Sequence, residues 1–120
     1  MELFVVMDKA TLGRGALGIF SSMEKARVFV ESIEFHSLVV ACSLIGAYDG
    51  SGKIYAAHTY DNFYDTHMFD GIYSGSELAY EAVGQKGLII EFIIDLPGEK
   101  KIITIEVNDE LKDISLQFFQ

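Results

Sequence analysis

The sequence predicts an α+β fold: a two-layer sandwich of one mostly antiparallel sheet with two helices on one face, built from a tandem strand–strand–helix–strand repeat. Three observations carry this. Apolar runs of strand length recur along the chain. Two segments place apolar side chains at helical spacing behind a turn of small residues. The opening of the first helical segment returns later in the chain. The chain has 120 residues, half of them hydrophobic and 12% aromatic, which is enough for one domain with a real core and excludes a disordered chain.

Residues 3–7 form a short apolar run and read as a buried strand, followed by turn chemistry to Gly15. Residues 16–20 read as a second strand. Ser21-Ser22-Met23-Glu24 has the form of a capping box, in which a Ser side chain satisfies the amide three residues on. Met23, Ala26, Phe29, Val30 and Ile33 make one apolar stripe, so an amphipathic helix follows. Residues 37–48, rich in Val, Leu and Ile, read as a central strand. Asp49-Gly50-Ser51-Gly52 supplies a turn, and residues 53–60 the returning strand.

Residues 61–70 are polar and aromatic and read as a loop. A second helix is expected over 74–85, with Gly87 placed to cap its end. Residues 88–96 read as another apolar strand, Pro97-Gly98-Glu99 as a turn and 101–107 as a strand. Residues 114–119 suit a last strand or a docked tail.

Gly71-Ile72-Tyr73-Ser74-Gly75-Ser76-Glu77-Leu78-Ala79 repeats Gly18-Ile19-Phe20-Ser21-Ser22-Met23-Glu24-Lys25-Ala26 at an offset of 53, with Gly, Ile, aromatic, Ser, Glu and Ala in register. Asp8 and Asp61 match at the same offset. Two copies of one unit, about 1–52 and 53–107, within a single domain are therefore expected. The opening, Leu3-Phe4-Val5-Val6 and then the Gly18 to Ala26 segment, resembles small bacterial domains that share a strand, a variable loop and a G-[IF]-[FY]-S-S-x-E-K-A helix. That resemblance implies the fold of the first 33 residues and no catalytic residue.

Nine basic residues against eighteen acidic ones leave a net charge of −9. Nucleic acid and anionic membranes need Lys and Arg to neutralise phosphate, so neither is expected as a partner. The N-terminus has no basic region or small-residue cleavage site, and no apolar stretch reaches membrane-spanning length, so a cytoplasmic protein is expected. The single Cys42 sits in an apolar run and reads as an inert core thiol.

No Lys or Arg occurs between Lys53 and Lys86, whereas Asp61, Asp65, Asp70, Glu77 and Glu81 all fall in that gap. Tyr60, Asp61, Phe63, Tyr64, Asp65, Phe69 and Asp70 combine apolar anchors with a negative rim, the composition of a protein-binding hot spot. The expected partner is a basic protein, as for an immunity-type inhibitor of a basic toxin, with no cofactor and no catalytic residue. The alternative is a metal-dependent enzyme or small-ligand binder using residues 58–70, with His58, Asp61, Asp65 and His67 as ligands. Their spacing fits no metal signature. Self-association is a third possibility, through a sheet face carrying Ile89 and Ile93 that could pair two chains into a homodimer.

Two further motifs carry less. Gly13-Arg14-Gly15-Ala16-Leu17-Gly18 spells G-x-G-x-x-G, but a strand intervenes before the helix, so it reads as a hairpin loop rather than a phosphate cradle. Glu91 and Asp95 would share one half-exposed face of a strand.

Overall fold

The computed structural model describes residues 1–8, 15–33 and 36–103. Gly13 and Arg14 of the glycine motif, residues 104–107 of the expected strand and the tail at 114–119 lie outside the described residues. The elements are β1 (Glu2–Asp8), β2 (Ala16–Phe20), α1 (Met23–Ser32), β3 (Ser37–Ser43), β4 (Lys53–Asp61), β5 (Thr66–Tyr73), α2 (Ser76–Val83), β6 (Leu88–Ile93) and β7 (Leu96–Ile103). The α+β class and the antiparallel pairing are as expected. The layering is different. The strands divide into two sheets, ordered β2-β1-β3 and β5-β4-β6-β7.

Three clusters of buried side chains define the layers. Leu3, Val5, Ala16 and Ile19 of the first sheet pack on Ile54, Ala56, Ile72 and Phe92 of the second. Ala26 of α1 packs on Val6 and Phe20, on the other face of the first sheet. Ala79 of α2 packs on Ala57, Tyr73 and Ile89, on the other face of the second. The order is therefore α1, first sheet, second sheet, α2, with the helices outside rather than together on one face. The reason lies in β1 and β4, where successive residues point to opposite faces and both faces are apolar. A two-layer sandwich would leave one of those faces in water.

The elements β4, β5, α2 and β6 follow and pair in the same order as β1, β2, α1 and β3, and β7 adds a fourth strand to the second sheet. Phe4 pairs with Phe20 and Tyr55 with Tyr73, and each ladder has an irregularity two residues on, between Val6 and Met7 and between Ala57 and His58. Aligned on these pairs, His58 stands where Met7 stands in the first half, and Asp8 corresponds to Thr59 rather than to Asp61. After its third strand each half reaches across to the other. The Ile45 N–H donates to the Ile72 carbonyl at 3.0 Å, and the Asp95 N–H donates to the Ile19 carbonyl at 2.9 Å.

Several boundaries move for physical reasons. The third strand stops at Ser43 because the chain leaves the first sheet there, so that Ile45 pairs with Tyr73 of the other sheet, and it then turns at Gly46, φ +99°. The expected loop over 61–70 is mostly strand, since β5 starts at Thr66 and pairs back on β4. The turn expected at Pro97 lies instead at Ile94 and Asp95, joining the paired Ile93 and Leu96. Pro97 is accommodated because β7 is an edge strand, where a missing N–H costs least. Gly84, at φ +73°, ends α2 by donating its N–H to the Tyr80 carbonyl, the role assigned to Gly87 from sequence. Of the two residues suggested for pairing two chains, Ile89 is buried beneath α2, whereas Ile93 at the end of β6 is partly exposed. No helix among the described residues is long and apolar enough to cross a membrane.

Glu91 and Asp95 separate. Glu91 is buried between Tyr55 and Lys101 of the neighbouring strands, with the Lys101 Nζ at 3.7 Å. Asp95 occupies the turn in the left-handed region, φ +66°, and its carboxylate accepts from the Ser21 N–H at 2.8 Å and the Ser21 Oγ at 2.7 Å. Lys25 Nζ lies 3.1 Å away. Desolvation raises the Asp95 pKa, but the Ser21 hydrogen bonds and Lys25 outweigh it and hold the carboxyl below its ordinary value. Ser22 caps α1 by accepting from the Lys25 N–H at 3.2 Å. One carboxylate thus fastens the turn of the second half to the start of the first helix.

Three substitutions have expected outcomes. Asp95→Ala lowers unfolding free energy by about 1–2 kcal/mol, as for loss of a helix cap, when measured by urea denaturation at pH 7. The contribution is present above pH of about 4 and lost as the pH falls through the depressed pKa. Gly46→Ala costs at least about 2 kcal/mol, because a Cβ there would collide with Ser74 Oγ and the Leu78 side chain in a strained backbone. Gly50→Ala, at φ +82° in open space, costs about 1 kcal/mol in the same assay.

Candidate functional site

The β4–β5 hairpin carries most of the residues singled out from sequence. Tyr60 pairs with His67 and Asp61 with Thr66, leaving residues 62–65 as the turn. Asp61 fixes that turn, since its Oδ1 accepts from the Phe63 N–H at 2.8 Å and the Tyr64 N–H at 3.2 Å. This is the local side-chain-to-backbone bonding that makes Asp a turn former. Asp65 closes the turn at φ +51° and accepts a hydrogen bond from the Tyr60 hydroxyl. That bond, with smaller effects of desolvation and the Asp65 and Asp61 charges, raises the Tyr60 pKa.

The backbone so held presents two aromatic rings to solvent. Phe63 is 86% exposed and Tyr64 62% exposed, and they stack edge to face with centroids 4.8 Å apart. Behind them, Tyr60 meets His67 edge to face at 5.4 Å. Lys86, from the turn after α2, places its Nζ 5.7 Å from the Tyr60 ring centroid. His67 Nε2–H donates a hydrogen bond to the Lys86 carbonyl at 2.8 Å. A cation therefore already sits on the aromatic surface behind the tip, a geometry that benefits from the ring quadrupole.

The other candidates lie elsewhere. Phe69 turns inward, packs against the central cluster and meets the His58 ring at 5.7 Å. Asp70 accepts from the Tyr73 hydroxyl at 2.8 Å, and desolvation together with that bond pushes Tyr73 up to about 12. His58 is fully buried, with Nδ1 facing the Leu88 carbonyl and Nε2 accepting from the Ala16 N–H. The four residues of the metal alternative are thus split between core, turn and strand. Among the described residues no three His, Cys, Asp or Glu side chains gather as a ligand set.

Sequence reasoning missed Lys86 and the double cap by Asp61. The second had a signal, an Asp at the head of a turn. The first had none, because Lys86 arrives through the tertiary fold. No family model, no curated protein and no solved structure matches this chain.

The Asp61 bonds are expected to hold the tip rigid. Asp61→Ala costs about 1 kcal/mol of stability and lowers the ¹⁵N heteronuclear NOE across residues 62–65. Unchanged relaxation at those amides would show that the turn is held some other way.

Proposed function

We propose that the protein is a small non-enzymatic binding module that recognises a basic protein through the β4–β5 tip, in the manner of an immunity-type inhibitor acting in the cytoplasm. The observation that carries this reading is the exposure of Phe63 and Tyr64 on a turn already fixed by Asp61 and Asp65. Two large apolar rings in water are unfavourable in the free protein, and covering them is favourable. Because the turn is ordered beforehand, little conformational entropy is lost on binding.

The charge favours a basic partner. The tip lies within the stretch from Lys53 to Lys86 that has no Lys or Arg between its ends and five carboxylates. Such a surface speeds encounter with a positive partner and repels an acidic one. The hydrogen bonds of Asp61 and Asp65 leave further oxygen lone pairs on each carboxylate for a partner's Lys or Arg.

The test compares wild type with a Phe63→Ser/Tyr64→Ser variant, each immobilised and exposed to extract of the source cells at low ionic strength. The expected result is a basic protein retained by wild type and weakened at least thirtyfold, about 2 kcal/mol, by the variant. Its association rate falls at least about tenfold as salt rises from about 50 to 500 mM. The variant's own stability stays within about 0.5 kcal/mol of wild type, since neither ring is in the core. Equal retention by both proteins, or retention of acidic proteins only, would overturn the reading.

A further inference from the structure

His58 is the one histidine among the described residues whose side chain is wholly removed from water, at 0% exposure. Its two nitrogens bond to two different sheets. Nδ1 lies 3.2 Å from the Leu88 carbonyl on β6, and Nε2 accepts from the Ala16 N–H on β2 at 3.4 Å. A carbonyl only accepts and an amide N–H only donates. The neutral ring protonated at Nδ1 is therefore the one form that satisfies both partners.

Packing alone does not require a histidine at this position. Met7 holds the corresponding place in the first half, one residue past the irregularity of its ladder, and packs partly buried against the same central cluster. A thioether of similar length fills that place without a polar partner.

We propose that His58 is a pH-responsive latch between the two sheets: protonation turns Nε2 from acceptor to donor, sets it against the Ala16 N–H and frees the start of β2. The proton comes from solvent and no covalent bond changes. The ionisable groups that act on the ring are His67 and Asp70, both on β5, while β2 and β6 meet it with the main chain of Ala16 and Leu88. Burial pushes the imidazole below its ordinary value of 6.5, and it outweighs the nearby Leu88 and Ala56 carbonyls and the Asp70 charge, which favour the cation; His67 acts in the same direction as burial. The folded state thus binds fewer protons than the unfolded state below about pH 6.5. The latch is closed above that pH and weakens as the pH falls toward the depressed pKa.

The experiment follows amide hydrogen exchange at Ala16, expressed as a protection factor, between pH 7.5 and 5.5 in wild type and in His58→Met. The ¹³Cε1 shift of His58 is titrated in parallel. In wild type, Ala16 protection is expected to fall by up to about tenfold per pH unit below about 6.5, and in His58→Met it stays flat. Flat protection in wild type, or an equal fall in both proteins, would overturn the latch. Should His58→Met not fold, the wild-type ring decides. A midpoint below 6.5 together with loss of Ala16 protection supports the latch, and a midpoint at or above 6.5 sinks it.

Discussion

β1 and β4 each have water excluded from both faces, and the layering follows from that. Leu3, Val5 and Val6 are at most 1% exposed, and Ile54, Ala56 and Ala57 are wholly buried. A strand presents alternate residues to opposite sides, so each of these strands needs cover twice. An amphipathic helix with one apolar stripe can cover one side only. The remaining side of each sheet packs on the apolar side of the other sheet. Each large side chain so buried is worth about 1.5–3 kcal/mol, more than the roughly 0.5–1.5 kcal/mol of each main-chain hydrogen bond that crosses between the halves.

The crossing hydrogen bonds have a different role. The inter-sheet surface is apolar and gives little directional preference, so slippage of one sheet over the other would cost little by itself. Ile45 on Ile72 and Asp95 on Ile19 fix the two ends of the contact, and His58 on Ala16 fixes it from within. The two ends are not alike. At α1 the crossing residue is Asp95, whose carboxylate binds Ser21, beside the helix cap at Ser22. At α2 the crossing residue is Ile45, which offers only its main chain, and the cap is Gly75 with no side-chain bond. The first helix start is therefore closed by charge and the second by backbone alone.

The element order could be read from sequence because local chemistry sets it. The Ser22 cap, the alternation in β1 and the glycine turn before Lys53 depend on residues close along the chain. The two-sheet layering could not be read so, since a strand buried by a helix below and a sheet above has the same apolar composition as one buried in a single thick core. The hairpin was hidden for a related reason. Both β5 and its turn are polar enough to imitate a loop, and only the pairing of Tyr60 with His67 and His58 with Phe69 shows them to be strand. Of the candidate site, Asp61, Phe63, Tyr64 and Asp65 were legible as a turn rich in aromatics and acids. Phe69 was not separable from them, because alternation within β5 turns it inward and sequence had not placed a strand there.

The tip of this hairpin lies outside the packed core. β4 carries its buried residues as far as His58, and from Tyr60 onward the hairpin extends beyond the first sheet, where burial falls away. Nothing in the core asks for an aromatic residue at 63 or 64. The side chains of Asp61, Asp65 and Tyr60 nonetheless spend their hydrogen bonds on ordering the turn that displays those rings. Ordering a polar turn costs backbone entropy, and two exposed rings return none of it inside the monomer. The hydrogen bonds of the turn thus stabilise display of the rings rather than their burial, which is the feature the proposed reading rests on, and a surface that covered the rings would meet the Asp61 and Asp65 carboxylates beside them.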